Sequence, residues 1–218
     1  MIRRFNSYFA ATSVVWLTLA ISSYGQTYMI DINDADDPIT ETGWTGLDAV
    51  HSGSGSSVLI DGISFEIFSA DGARVRGGSA SPTPNALTGD FVFDDGSNQA
   101  VGMFFGGAGD LPRGVWQVDV YIFDDGSTIE NQIVGWRKDG AETIIGTDFL
   151  PDATNPAATF EFLSNGAAAY DVFVRENNDA NRSRLNAVAL TYVRIPEPSS
   201  VVLLGALAAL GAMAFRHR

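Results

Sequence analysis

The chain has 218 residues, no cysteine, and 26 acidic against 13 basic side chains, a formal net charge of −13 at pH 7. Without cysteine there is no disulfide framework, thiol nucleophile or thiolate metal site, and so acidic a surface repels a phosphate backbone, which excludes nucleic acid as a partner. Two histidines, His51 and His217, cannot supply the usual zinc ligand set and leave a serine nucleophile with only a loop or tail base.

Met1 to Gly25 reads as a secretory signal. Arg3 and Arg4 form a basic start, Phe9 to Ile21 a short apolar core, and Ser23-Tyr24-Gly25 offers small residues at the cleavage positions, so export through the Sec translocon with cleavage before Gln26 is expected. A permanent N-terminal membrane helix is the alternative, opposed by the short core and polar Ser22-Ser23. Residues 26–195 then form one domain's worth of chain, with 25 acidic and 9 basic side chains and a formal charge of −16. A domain of this size buries roughly 70% of its unfolded surface and needs no covalent staple.

At the start of that domain Asp31, Asn33, Asp34, Asp36 and Asp37 crowd oxygen-bearing side chains together. Such a set suits a hard cation, calcium, at about 2.3–2.6 Å, although the spacing and closing glutamate of an EF-hand are missing. A solvated acidic turn is the alternative.

From there on, short runs of Val, Ile, Phe and Tyr alternate with Gly, Asp, Asn, Ser and Pro, and no long helical period occurs. The predicted strands are Ser57 to Ile60, Ile63 to Phe68, Phe91 to Phe93, Ala100 to Phe105, Val115 to Phe123, Gln132 to Arg137, Thr143 to Gly146, Thr159 to Phe162, Ala169 to Val174 and Leu185 to Val193. That spacing predicts an all-β fold, a single two-sheet sandwich or jelly roll. In the fifth run the alternation puts Trp116, Val118, Val120 and Ile122 in the core and Gln117, Asp119, Tyr121 and Phe123 outside. Phe91-Val92-Phe93-Asp94-Asp95-Gly96-Ser97 is echoed by Tyr121-Ile122-Phe123-Asp124-Asp125-Gly126-Ser127, each read as a strand entering an Asp-Gly turn, and Lys138-Asp139-Gly140 is read as closing a further hairpin.

The order of Thr42-Gly43-Trp44-Thr45-Gly46, Arg74-Val75-Arg76-Gly77, Leu87-Thr88-Gly89-Asp90, Leu111-Pro112-Arg113-Gly114-Val115-Trp116 and Leu185-Asn186-Ala187 resembles a galactose-binding-like jelly roll, the superfamily of malectin-like and other carbohydrate-binding modules. The resemblance implies a sandwich whose exposed aromatics stack on sugar rings, and a structural calcium near the first strand. By that light Trp44, in a polar turn, and Trp136, at a strand end, are candidate carbohydrate platforms, and Arg74 is a candidate partner for a sugar or carboxylate. Packing is the alternative for both tryptophans, and an ion pair with Asp90 is the expectation for Arg76. His51, in a Gly/Ser-rich loop without a nucleophile elbow, is read as solvated. No catalytic residue is assigned.

The chain ends in Pro196-Glu197-Pro198-Ser199-Ser200, an apolar run from Val201 to Phe215, and Arg216-His217-Arg218. A helix rises about 1.5 Å per residue and the hydrocarbon core is about 30 Å thick, so the run spans only with its flanks included. Arg216 and Arg218 act as the membrane stop and hold that end in the cytoplasm. Each proline bars regular structure and keeps Glu197 extended, as a protease substrate must be. Triplet, apolar run and basic end together resemble the PEP-CTERM sorting signal of Gram-negative bacteria. That resemblance implies recognition by the membrane protease exosortase and delivery to the envelope, surface or extracellular matrix, with a transient anchor in the inner membrane; a permanent tail anchor is the alternative. The functional expectation is an exported, non-catalytic β-sandwich that contacts polysaccharide. A structural matrix or adhesion subunit without a small ligand, or a secreted glycan-acting enzyme, are the alternatives.

Overall fold

Among the described residues the chain forms fourteen strands in three sheets. The computed structural model describes residues 25–36, 38–50, 55–68, 71–75, 89–96, 99–124, 131–177 and 183–194. The secretory segment up to residue 24, Asp37, His51, Arg76, Pro196, Glu197, Pro198, the apolar tail, Arg216 and Arg218 lie outside them. Among the described residues no helix is long and apolar enough to cross a membrane.

The first sheet has five strands in the order β11 (Ala158–Ser164), β8 (Gly114–Tyr121), β14 (Ala187–Arg194), β1 (Thr27–Asp34) and β2 (Thr45–Ala49). The second has six, β10 (Ala141–Phe149), β9 (Gln132–Lys138), β12 (Tyr170–Glu176), β7 (Ala100–Phe105), β4 (Ile63–Phe68) and β3 (Ser57–Ile60). A small third sheet joins β13 (Ser183–Leu185), β6 (Asp90–Asp94) and β5 (Gly72–Val75). Neighbouring strands are antiparallel except β1 and β2, which run parallel.

The two larger sheets pack face to face, which makes the molecule the all-β sandwich that the sequence predicts. Period-two alternation decides what lies between them. In β8, Trp116, Val118 and Val120 are fully buried while Gln117, Asp119 and Tyr121 turn outward. Aromatic contacts then stitch the layers: Tyr28 of β1 meets Phe65 of β4 at 5.2 Å, and Phe162 of β11 meets Trp136 of β9 at 5.4 Å and Phe105 of β7 at 6.4 Å. Trp116 satisfies its one donor on the Pro112 carbonyl at 2.9 Å, so its whole ring counts as buried apolar surface. Each fully buried side chain of this kind contributes about 1.5–3 kcal/mol.

Three strands escaped the sequence reading: β1, β2 and β5. The expected last strand, Leu185 to Val193, is also divided at Asn186. There the backbone N–H donates to the Tyr121 carbonyl (3.0 Å) and the backbone carbonyl accepts from Ile32 (2.9 Å). The side chain accepts the Phe123 N–H at 2.6 Å and donates to the Asp90 carbonyl at 2.7 Å. An amide alone among side chains of this size offers both donor and acceptor, so Asn186 ties the five-stranded sheet to the small one. The Asp95-Gly96 turn is not a hairpin either. The strands that flank it, β6 and β7, belong to different sheets, and the Asp94 carboxylate closes the turn by accepting the Gly96 N–H at 2.6 Å. Asp139-Gly140 does close a hairpin, between β9 and β10, with φ of 49° and 83° as a two-residue turn of that hand requires.

Candidate functional site

Because β1 and β2 are parallel, the chain must cross from the end of one to the start of the other. Residues 38–44 lie over the outer face of the five-stranded sheet, as a strap. Tyr28, Ile30 and Ile32 point inward, so Met29, Asp31 and Asn33 point out, yet Asp31 and Asn33 are fully buried because the strap lies on them. Asp31 Oδ2 accepts the Glu41 N–H at 2.6 Å, and Asn33 Nδ2 donates to Thr40 Oγ1 at 2.8 Å and Asp48 Oδ1 at 3.1 Å. Gly46 permits this contact, since a Cβ there would run into Thr40 Oγ1 and lie 2.7 Å from Asn33 Nδ2.

Asp90 of β6 completes the buried polar group, accepting the Asp34 N–H at 3.4 Å. Among the described residues one oxygen each of Asp31, Asn33 and Asp90 has no hydrogen-bond partner. Burial raises Asp31 to about 6, against the lowering pull of the Glu41 N–H and with the Glu41 charge adding to the rise, and raises Asp90 to about 7, against the Asp34 N–H and with the charges of Asp31 and Asp34 adding to the rise. The acidic run of the sequence is therefore mostly a strand, not the turn that a calcium loop calls for. Asp34 turns at the strand end to accept the Asp36 N–H at 3.0 Å, Asp36 is exposed, and Asp37 lies outside the described residues. Among the described residues no three Asp, Glu, His or Cys side chains gather as a metal would need.

The strap ends in Trp44, half-buried, with its ring edge-on to Tyr121 at 5.4 Å and 88°. Strand register maps the face beside this pair. One row runs Tyr121, Ala187, Asp31, Gly46; the next Thr159, Asp119, Ala189, Met29; the third Glu161, Gln117, Thr191, Thr27. The strap covers the β1–β2 end of the first row. Beyond it Ala187 and Ala189 are both buried, flanked on β8 by Tyr121 and Asp119. The Asp119 carboxylate accepts from Thr159 Oγ1 at 2.7 Å and from Gln117 Nε2 at 3.1 and 3.2 Å. Burial, and then the negative field of Asp119, hold the Tyr121 phenol above its ordinary pKa, so it remains a hydrogen-bond donor. At the margin Arg194 and Glu161, both exposed, lie 3.7 Å apart.

The other sequence candidates are elsewhere. Trp136, in β9, is partly buried and packs against the core, stacked on Phe162 at 5.4 Å and 6.1 Å from Tyr170, on the side opposite to the Trp44–Tyr121 face. Arg74 lies over the Phe93 ring at 4.7 Å. Arg184, which the sequence reading passed over, is buried and covers Phe93 at 5.2 Å and Phe91 at 5.4 Å while pairing with Asp95 at 2.9 Å and Asp124 at 3.3 Å. The repeated Phe-Asp-Asp is thereby explained, because both copies converge on one buried guanidinium. Tyr121 and Asp119 were also missed as site residues, although the alternation of β8 already turned them outward.

Comparison with known proteins adds the following. None of the curated protein sequences matches the chain. Nine solved chains match in fold. One is the extracellular domain of ANXUR2 from Arabidopsis thaliana, with a TM-score of 0.42 and 7% identity over 79% of this chain and 50% of that one. Another is exo-beta-1,3-galactanase from Phanerochaete chrysosporium with beta-1,3-galactotriose, with a TM-score of 0.33 and 13% identity over 63% and 29%. The chain thus spans half of the first and less of the second. Residues 194–218 match the PEP-CTERM protein-sorting motif. That motif gives the chain its address, an exported protein processed by exosortase and associated with the envelope or surface of a Gram-negative bacterium.

Proposed function

We propose that residues 26–195 form a non-catalytic, galactose-binding-like ectodomain that contacts polysaccharide through the outer face of the five-stranded sheet. One observation carries this reading: the half-buried Trp44–Tyr121 pair on the outer face, with the half-buried Asp119 and Gln117 beside it on β8. A pyranose ring presents a C–H face that packs on an aromatic ring, and hydroxyls that need donors and acceptors at its rim. Trp44 and Tyr121 offer the first, and Asp119, Gln117 and Thr159 the second. The core cluster draws its members from residues 28–192, so a fragment covering 26–195 carries the complete sandwich. That fragment, applied to a glycan array, is expected to bind polysaccharide and to lose binding with Trp44→Ala. A folded fragment that binds no glycan overturns the reading.

In the same reading the Sec translocon exports the chain, residues 1–25 are removed, and exosortase reads Pro196-Glu197-Pro198 while Arg216 and Arg218 hold the cytoplasmic end. Glu197→Ala is expected to leave a full-length, membrane-retained form. Wild type that also stays full length in the membrane makes the tail a permanent anchor instead.

A further inference from the structure

We propose that the end of the sandwich from which β14 emerges at Arg194 is its membrane-facing surface, and that a chain held by its tail presents the Trp44–Tyr121 pair away from the lipid. The inference rests on the reading of the tail as a membrane segment and adds the orientation of the domain above it. Strand register carries it. Thr27, at the start of β1, stands opposite Thr191, and the Tyr192 N–H donates to the Gln26 carbonyl at 2.8 Å, so β1 begins where β14 ends. Gly114 stands opposite Ser164 and Lys138 opposite Tyr170, which brings loops 106–113 and 165–169 and the Asp139-Gly140 turn to that same exit end. The Asp61-Gly62 turn joins them, with Asp61 accepting from Gln26 Nε2 at 3.4 Å. Tyr121 lies at the far end of β8, six residues and about 20 Å from Val115, which stands opposite Arg194.

The tether is too short to turn the domain over. Seven residue steps lead from Arg194 to Val201, where the apolar run begins, and they span at most about 25 Å fully extended. β14 alone rises about 23 Å from Ala187 to Arg194, and residues 122–124 lie beyond Ala187, so the tether cannot reach back past the far end. Charge points the same way. Among the described residues the exit end sets Arg113, Lys138 and Arg194 against Asp61, Asp110 and Asp139. At the far end Asp36, Asp71, Asp95 and Asp148 are exposed, against the half-buried Arg74, while Arg184 is buried between Asp95 and Asp124 and Arg175 is paired with Glu142. An anionic headgroup layer repels the far end within a Debye length of about 8–10 Å and leaves the balanced exit end free to approach.

The chain has no cysteine, so a single introduced thiol gives an unambiguous label. The test reconstitutes the full-length chain into vesicles of phosphatidylethanolamine and phosphatidylglycerol that carry a quencher on the headgroup. A fluorophore is attached at Ala108→Cys, in the exit-end loop 106–113, or at Val50→Cys, just past the far end of β2. The Ala108 label is expected to lose most of its emission and the Val50 label to keep most of its own. Leu59→Cys beside the Asp61-Gly62 turn and Leu150→Cys after β10, positions 70% and 65% exposed, repeat the comparison should either first variant fold poorly. Equal quenching at the two ends, or stronger quenching at the far end, overturns the orientation and leaves the tail reading standing. A full-length chain that does not float with the vesicles overturns both.

Discussion

The sandwich has two outer faces, and they solve the same problem in opposite ways. On the six-stranded sheet opposite charges pair over aromatic rings, although among the described residues Asp171 Oδ1 has an ion pair and no hydrogen-bond partner. Arg137 lies over Phe173 at 4.7 Å and over Phe68 at 5.1 Å while pairing with Glu142 at 3.0 Å and Asp171 at 3.5 Å. Phe173 in turn lies flat on Gly135, where a Cβ would come within 2.5 Å of its ring, and Phe68 rests on Gly102 in the same manner. Aromatic rings, guanidinium and carboxylates form a closed layer. On the five-stranded sheet the strap seals one end, buried alanines stand where the other face has rings, and Asp119 is held by neutral groups. The difference teaches where to look for a partner: the half-buried Trp44–Tyr121 pair and Asp119 keep ring edges and a carboxylate at the surface, where the other face folds its rings under a guanidinium.

The comparison breaks most visibly at Arg137. Removing the guanidinium leaves Asp171 buried, with its first cation gone and Glu142 still near. Burial already raises Asp171 to about 6 although Arg137 lowers it and Glu142 raises it. Arg137→Ala is therefore expected to cost about 3 kcal/mol in urea unfolding near neutral pH, the usual cost of orphaning one partner of a mostly buried pair. The loss should shrink as acid protonates Asp171, and glycan affinity of the folded variant should stay at wild-type level. A drop in affinity equal to that of a Trp44 variant would mean that the six-stranded face takes part in binding.

At the open face the balance reverses. Trp44→Ala removes a half-buried ring whose aromatic partner is the half-buried Tyr121, so glycan affinity should fall by about 1–3 kcal/mol while the unfolding free energy moves by less than about 1 kcal/mol. Early unfolding without any change in affinity would make Trp44 a packing residue that pins the strap.

How much of this was legible beforehand follows from where polar residues sit. β8 was readable because its apolar and polar residues alternate strictly, and both the core and the outward Asp119 and Tyr121 follow from that alone. β1 was not, because Asp31, Asn33 and Asp34 lie in a strand whose outer side is roofed by the strap, so the polar residues that mark a turn elsewhere are buried here. The roof itself depends on Gly46 and on a parallel pairing, neither of which leaves a local trace. Trp136 shows the opposite case: basic neighbours at the end of β9 suggested exposure, while its parity with Val134 turns its ring toward Phe162 and leaves it partly buried. Arg184 was invisible because its carboxylate partners are 60 or more positions away in the chain.

The smallest expected effect concerns the strap, whose buried carboxylates separate a folded from an unfolded proton count. Asp31 and Asp90 sit at about 6 and about 7 when folded, against an ordinary 3.8. Folded protein thus holds more protons than unfolded protein between about pH 4 and pH 7, so stability is full below that window and is lost as pH rises through it. Asp152 works the other way. Its carboxylate accepts the Thr154 and Asn155 N–H groups, which hold it at about 2, so it withdraws stability only as pH falls below its ordinary value. Between the two, near about pH 4, these groups place the stability maximum. Asp90→Asn should flatten the decline above that point and raise the melting midpoint at neutral pH. Should millimolar calcium instead of acid restore the midpoint, and EDTA abolish the effect, a cation rather than protons relieves Asp31 and Asp90.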